Sequence, residues 1–138
     1  NGRVSCFLAY QTGCKTLGIE YDERLIYRAE ANQKRALSGN RTQFVHQNAL
    51  DFSVPLEATR AFFFNPFSVA ILETVLGHIL TSFDERERDF LLFFYYPSGD
   101  YESFLQGHKR LELVEEIPCY DLFEEPNARE RILVYKII

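Results

Sequence analysis

The stretch Thr16-Leu17-Gly18-Ile19-Glu20-Tyr21-Asp22 decides how the chain is read. A short, mostly apolar run stops at an acid. Such a run is a buried strand, and the acid marks its carboxyl end. Asp22 stands where a helix N-cap belongs, and Leu25, Ile26, Ala29 and Asn32-Gln33 continue at helical spacing to about residue 37. A strand leading through an acid into a capped helix is half of a parallel crossover unit.

Upstream, Val4, Phe7, Leu8 and Ala9 predict a short helix over 3–11, ended by Gly13. Downstream, Ser38-Gly39-Asn40 breaks the chain before a second strand over 42–46 and a polar loop over 47–51. A connection containing Pro55 leads to a third strand over 60–64, which Asn65-Pro66-Phe67 stops. Val69, Leu72, Val75, Leu76 and Ile79 give one apolar stripe to a helix over 68–81. A fourth strand covers 89–96, Pro97-Ser98-Gly99 ends it, and 101–106 has room for one or two helical turns. The last strands, 111–117 and 132–138, are close enough in sequence for an antiparallel hairpin. Phe62-Phe63-Phe64 and Phe93-Phe94-Tyr95-Tyr96 read as buried central strands. The expectation is one α/β domain with a mostly parallel sheet, right-handed crossovers and a closing hairpin.

Composition agrees with a globular domain and narrows its function. The chain has 138 residues, 46% hydrophobic and 25% charged, enough for a core and too few charges for wholesale disorder. Its net charge of −5 does not favour a nucleic-acid partner, although a local basic patch stays open. No apolar run reaches the length of a membrane span, and the start does not read as a signal peptide. Cys6, Cys14 and Cys119 form no Cys-x-x-Cys pair and no disulfide framework, which suits a reducing cytoplasm. His46, His78 and His108 lack metal-like spacing, so no metal site is expected. Methionine is absent and the chain opens on Asn1-Gly2-Arg3-Val4, which reads as a longer protein cut inside a functional element.

Ligands of an open parallel sheet bind beyond the carboxyl ends of its strands. Glu20 there can accept both hydroxyl hydrogens of a ribose, or serve only as an acid at a helix entry. Asn48 or Asp51, with a backbone N–H near Ala49, can read an adenine edge; a solvated loop is the bland alternative. Pro66 stiffens its turn, so the Asn65 amide and the Pro66 carbonyl can face one small volume and hold an amine, with Phe67 as a stacking face. A plain strand-ending turn would use the same residues. Gly2 directly precedes a helix, as a cofactor-binding glycine or as a flexible end.

Taken in order, these segments resemble class I S-adenosylmethionine-dependent methyltransferases. Asn1-Gly2-Arg3-Val4 resembles the tail of the family's glycine motif. Leu17-Gly18-Ile19-Glu20-Tyr21-Asp22 is similar to the motif whose acid binds the cofactor ribose. His46-Gln47-Asn48-Ala49-Leu50-Asp51-Phe52 resembles the adenine motif, with an amide in place of the usual acid. Phe62-Phe63-Phe64-Asn65-Pro66-Phe67 is related to the Asn/Asp-Pro-Pro-Tyr/Phe of amine-methylating enzymes, with one proline missing.

The resemblance implies a Rossmann-like three-layer sandwich and S-adenosylmethionine as cofactor. Gly2, Glu20, Tyr21, Asn48 and Ala49 would hold the cofactor, and Asn65, Pro66 and Phe67 would position the acceptor. It implies methyl transfer, to a nitrogen on a protein side chain or small molecule, with no obvious general base. The family's first strand, its motif acid and its first glycines have no counterpart. The expectation is therefore a single, N-terminally truncated domain without its first central strand, open to being inactive alone. Two rivals remain: an NAD-dependent oxidoreductase, which shares the ribose acid, and a non-catalytic binding module that uses its many aromatics.

Overall fold

The computed structural model describes residues 2–64, 67–122, 124–125 and 127–138. They fall into two compact units, 1–52 and 53–138.

The first unit contains α1 (Arg3–Thr12), β1 (Thr16–Glu20), α2 (Glu23–Arg35) and β2 (Thr42–His46). Gly13 ends α1 as expected: it adopts φ 71° and its N–H bonds to the Ala9 carbonyl. Asp22 caps α2 by accepting the Arg24 N–H at 2.9 Å. β1 and β2 pair in parallel, from Thr16 opposite Thr42 to Glu20 opposite His46. Buried and half-buried polar side chains tie the layers together. The Ser38 hydroxyl donates to the Cys6 carbonyl at 2.6 Å, and the Gln33 amide donates to the Gly39 and Thr42 carbonyls. Thr42 and Ser38 are each 1% exposed, so their hydroxyls need partners, and the Thr42 hydroxyl donates to the Ser38 carbonyl at 3.3 Å.

The second unit contains β3 (Arg60–Phe63), α3 (Val69–Glu85), β4 (Leu91–Tyr95), α4 (Gly99–Gln106), β5 (Leu111–Pro118) and β6 (Arg131–Ile137). Its sheet runs β3-β4-β6-β5. β3 and β4 are parallel, while β6 lies antiparallel to both β4 and β5. The closing hairpin therefore folds back so that its second strand, not its first, joins the parallel pair. The strands form two sheets among the described residues, one of two strands and one of four.

Helices α3 and α4 pack with one face of the larger sheet. Leu72, Leu76 and Ile79 meet Phe63, Leu92 and Phe94 in a single buried cluster that also takes in Tyr101, Leu105 and Tyr135. Phe94 is its aromatic centre, stacked on Phe63 at 4.8 Å and met edge-on by Tyr101 and Tyr135. The stripe on α3 continues through buried Ser82 and Phe83, which carries the helix a turn beyond the expected end at residue 81. Past that end Arg88 acts as a polar staple. Its guanidinium donates to the carbonyls of Pro55, Ala58, Ser82 and Arg86 and to the Ser82 hydroxyl. The aromatic runs are less buried than their composition predicts. Phe63 and Phe94 are inside, but Phe62 is 40% and Phe64 59% exposed. Alternation along the strand turns them to the face opposite Phe63.

Candidate functional site

Parallel pairing in register puts the ends of β1 and β2 side by side. Glu20 is opposite His46, and the Gln47 N–H bonds to the Glu20 carbonyl at 3.0 Å. The two loops that follow these strands therefore start together. The Glu20 side chain is fixed by its own turn: Oε1 accepts the N–H groups of Tyr21 and Asp22, each at 3.0 Å. Oε2 has no recorded partner among the described residues. A half-buried carboxylate with one oxygen pinned by backbone N–H groups and lone pairs left on the other suits a hydroxyl-bearing ligand. The same two bonds also support the helix entry, so both readings of Glu20 act at once. Tyr21 is 71% exposed, and its carbonyl meets His46 Nε2 at 2.8 Å.

Asn48 caps a 3₁₀ turn, Ala49–Asp51. Its Oδ1 accepts the Leu50 N–H at 3.0 Å. That bond orients the side chain so that the amide NH₂ is the other group it offers, a donor for a ring nitrogen. Ala49 opens the turn, and its N–H has no acceptor within it. The Asp51 carbonyl takes the Gln47 amide at 3.1 Å. Sequence reasoning could not see this division of labour, because it depends on the cap.

Gly2 is the N-cap of α1, at φ 73°. A β-carbon there would lie 2.8 Å from Cε1 of Phe44 and 3.0 Å from Cβ of Ala29. Gly18 is similarly tight: a β-carbon would come within 2.6 Å of Cδ1 of Phe44. The glycine at the helix start is thus demanded by packing and by conformation. That requirement leaves backbone, not side chain, at the helix N-terminus.

In the second unit, Asn65 and Pro66 lie outside the described residues. Phe67 is described, half-buried, with its ring edge-on to Phe63 at 6.3 Å. Part of its face is therefore spent on the core. Its backbone is held by Tyr101, whose hydroxyl donates to the Phe67 carbonyl at 2.5 Å and accepts the Phe67 N–H at 3.3 Å. Tyr101 is 3% exposed, and burial pushes its hydroxyl pKa up. No local pattern marks this clamp beyond a tyrosine at a helix start. No group of three metal-ligating side chains occurs among the described residues. No described helix is long and apolar enough to cross a membrane.

Comparison by sequence finds no matching family model and no matching curated protein. Comparison by structure is more informative. The chain is similar to an rRNA methylase of Streptococcus thermophilus at TM-score 0.65 and 14% identity, over 99% of this chain and 81% of that one. It is similar to the N-methyltransferase NodS of Bradyrhizobium japonicum at TM-score 0.63 and 17% identity, over 99% and 79%. It is similar to the magnesium protoporphyrin IX methyltransferase of Synechocystis PCC 6803, a structure with bound SAM, at TM-score 0.67 and 16% identity, over 99% and 65%. At such identities the likeness is one of fold. The chain has the class I fold of S-adenosylmethionine-dependent methyltransferases.

Proposed function

We propose that this chain carries an S-adenosylmethionine-dependent methyltransferase activity directed at a nitrogen acceptor, on a protein side chain or a small molecule. One observation supports the cofactor most: the pinned carboxylate of Glu20 and the Asn48-Ala49 turn start from adjacent ends of parallel strands. Glu20 Oε2 would take the ribose hydroxyls, with the Asn48 amide and the Ala49 N–H on the adenine edge. Tyr21 would lie beside the ribose, and Gly2 would let backbone approach the amino-acid part.

When bound by Gly2, Glu20, Tyr21, Asn48 and Ala49, the cofactor would supply an electrophilic sulfonium methyl group for transfer to the acceptor nitrogen. The chain's own residues orient and desolvate the partners. The Asn65-Pro66-Phe67 sequence supports nitrogen as the acceptor, and the Tyr101 clamp would keep Phe67 in place. A cytoplasmic setting accompanies this reading, supported by three free cysteines.

Calorimetry on the full-length protein tests it. S-adenosylhomocysteine should bind, and Glu20→Ala should weaken it strongly. Thermal shift with NAD is the counter-test, because a true ligand raises the transition by mass action. Stabilisation by NAD alone would replace the proposal with the oxidoreductase. Stabilisation by neither would favour a non-catalytic module.

A further inference from the structure

The carboxyl ends of β3 and β4 carry an aromatic surface used neither by the core nor by the cofactor residues. Phe64 follows β3 directly and is more than half exposed. Its ring centroid lies 5.1 Å from that of Tyr95, tilted by 50°, and 6.4 Å from that of Tyr96, edge-on at 88°. Tyr95 and Tyr96 meet at 6.3 Å, tilted by 56°. These rings form a corner, not a parallel stack. A stack suits a planar guest, whereas a corner of π faces suits a compact cation.

Tyr96 is held in that corner against its conformational preference. Its φ of 51° is the sole positive value at a described residue other than glycine. Separate contacts keep it there: its N–H bonds to the Arg131 carbonyl at 3.0 Å, and the Asn127 amide donates to its hydroxyl at 3.1 Å. Strain retained by such contacts points to a function for the ring's placement. The Arg129 guanidinium lies 4.7 Å over the Tyr96 ring, so this surface already accepts one cation and the exposed part of Phe64 remains.

Charge points the same way. The Tyr95 hydroxyl donates to Glu130 Oε2 at 2.5 Å, which places a carboxylate beside the rings. Residues 119–130 of the adjoining hairpin contain Asp121, Glu124, Glu125 and Glu130 against Arg129. A phosphate polymer would be repelled by that balance, and an ammonium group attracted.

We infer that Phe64, Tyr95 and Tyr96, with the Glu130 carboxylate beside them, form a subsite for an alkylammonium nitrogen of the acceptor, as on a lysine side chain or a small amine. The assignment of this cation to the acceptor rests on the methyltransferase reading; its binding does not. Charge recognition is assigned here, with no methyl or proton step.

Choline and its uncharged isostere, with carbon in place of the quaternary nitrogen, are the probes. They would be titrated into the full chain and followed by the NMR signals of its aromatic rings, without cofactor. Choline should bind about fivefold or more tightly than the isostere. Phe64→Leu, which keeps apolar surface but removes the π face, and Glu130→Gln should each weaken choline by about fivefold. Equal affinity for both probes, or no loss in either variant, would overturn the inference. Adenosine monophosphate binding at these rings in preference to choline would overturn it in favour of a nucleic-acid acceptor. S-adenosylhomocysteine, titrated in parallel, separates the two ideas. Choline bound without it leaves the cation site standing and removes the methyltransferase reading, and the reverse removes the cation site alone.

Discussion

The ring of Phe44 lies so close to the α-carbon of Gly2 that a β-carbon there would come 2.8 Å from Cε1. Phe44 is also the β2 partner of Gly18 in the parallel ladder, so one ring fills the space left by two missing side chains. The two glycines are not equivalent. Gly2 has φ 73°, whereas Gly18 is crowded without a positive φ.

That difference gives a prediction by rescue. Gly18→Ala should cost about 1–3 kcal/mol through overpacking. Gly2→Ala should add about 1 kcal/mol of backbone strain to a similar steric cost. Phe44→Leu shortens the ring and should recover more of the Gly18→Ala loss than of the Gly2→Ala loss. Chemical denaturation of the single and double variants measures both. Equal rescue at the two sites would show that φ at Gly2 contributes nothing.

Glu20 has two duties, and a conservative change separates them. Glu20→Gln keeps an oxygen for the Tyr21 and Asp22 N–H groups but loses the charge. Stability should hardly change. Affinity for S-adenosylhomocysteine should fall about tenfold or more, the range for losing hydrogen bonds to a charged acceptor. Unchanged affinity in calorimetry, with the fold intact by circular dichroism, would leave Glu20 as a helix-entry acid only.

Much of the fold was legible because its signals are local. Asp22 and Gly13 mark helix ends by chemistry that works within a few residues. β2 begins and ends at Thr42 and His46, where the polar and turn residues placed it. The site was legible only as positions. Glu20 and Asn48 can be picked from the chain, but their adjacency comes from a parallel register, and their free atoms from backbone bonds that no pattern records. The exposure of Phe64 cannot be read from the chain, because an aromatic run looks the same whether one or both faces are covered. Tyr101 was missed for a related reason. Its partner Phe67 lies 34 residues earlier, and only the tertiary fold brings the hydroxyl to that backbone.

Tyr101→Phe isolates that hydroxyl. The ring keeps its edge-on contact with Phe94 at 6.3 Å, so the loss falls on the Phe67 carbonyl and N–H. Leaving partly buried backbone groups unpaired should cost about 1–2 kcal/mol. The Phe67 amide should also lose protection in hydrogen exchange while amides in β4 keep theirs. Uniform loss across the second unit would mean that Tyr101 acts through the core and not through this clamp.

Arg88 offers a test of geometry against charge. It bonds to four carbonyls and one hydroxyl, and no acid pairs with it among the described residues. A planar fork can reach several acceptors at once, and an ammonium cannot. Arg88→Lys should therefore destabilise by about 1–3 kcal/mol, nearly as much as Arg88→Met, which keeps the aliphatic stem but removes the guanidinium that lies 5.2 Å from the Phe90 ring centroid. A lysine variant as stable as the parent protein in urea denaturation would reduce the staple to a charge near a helix C-terminus.

The Tyr95–Glu130 bond sets an alkaline limit. The carboxylate that accepts the Tyr95 proton, together with burial, raises this hydroxyl from the ordinary 10.0 to about 12. A group whose folded pKa is raised holds its proton more tightly when folded. The stability it contributes is complete below pH 10 and is lost as pH rises from 10 towards about 12. Tyrosinate absorbance should therefore show three of the eight tyrosines titrating late in the native state: Tyr95, held up first by Glu130, and Tyr101 and Tyr135, held up chiefly by burial. Glu130→Gln should move the Tyr95 component alone towards 10 and flatten its share of the fall of stability over the same interval. Tyr101 and Tyr135 should stay late in that variant, so an unchanged set of three late tyrosines would deny the carboxylate its part.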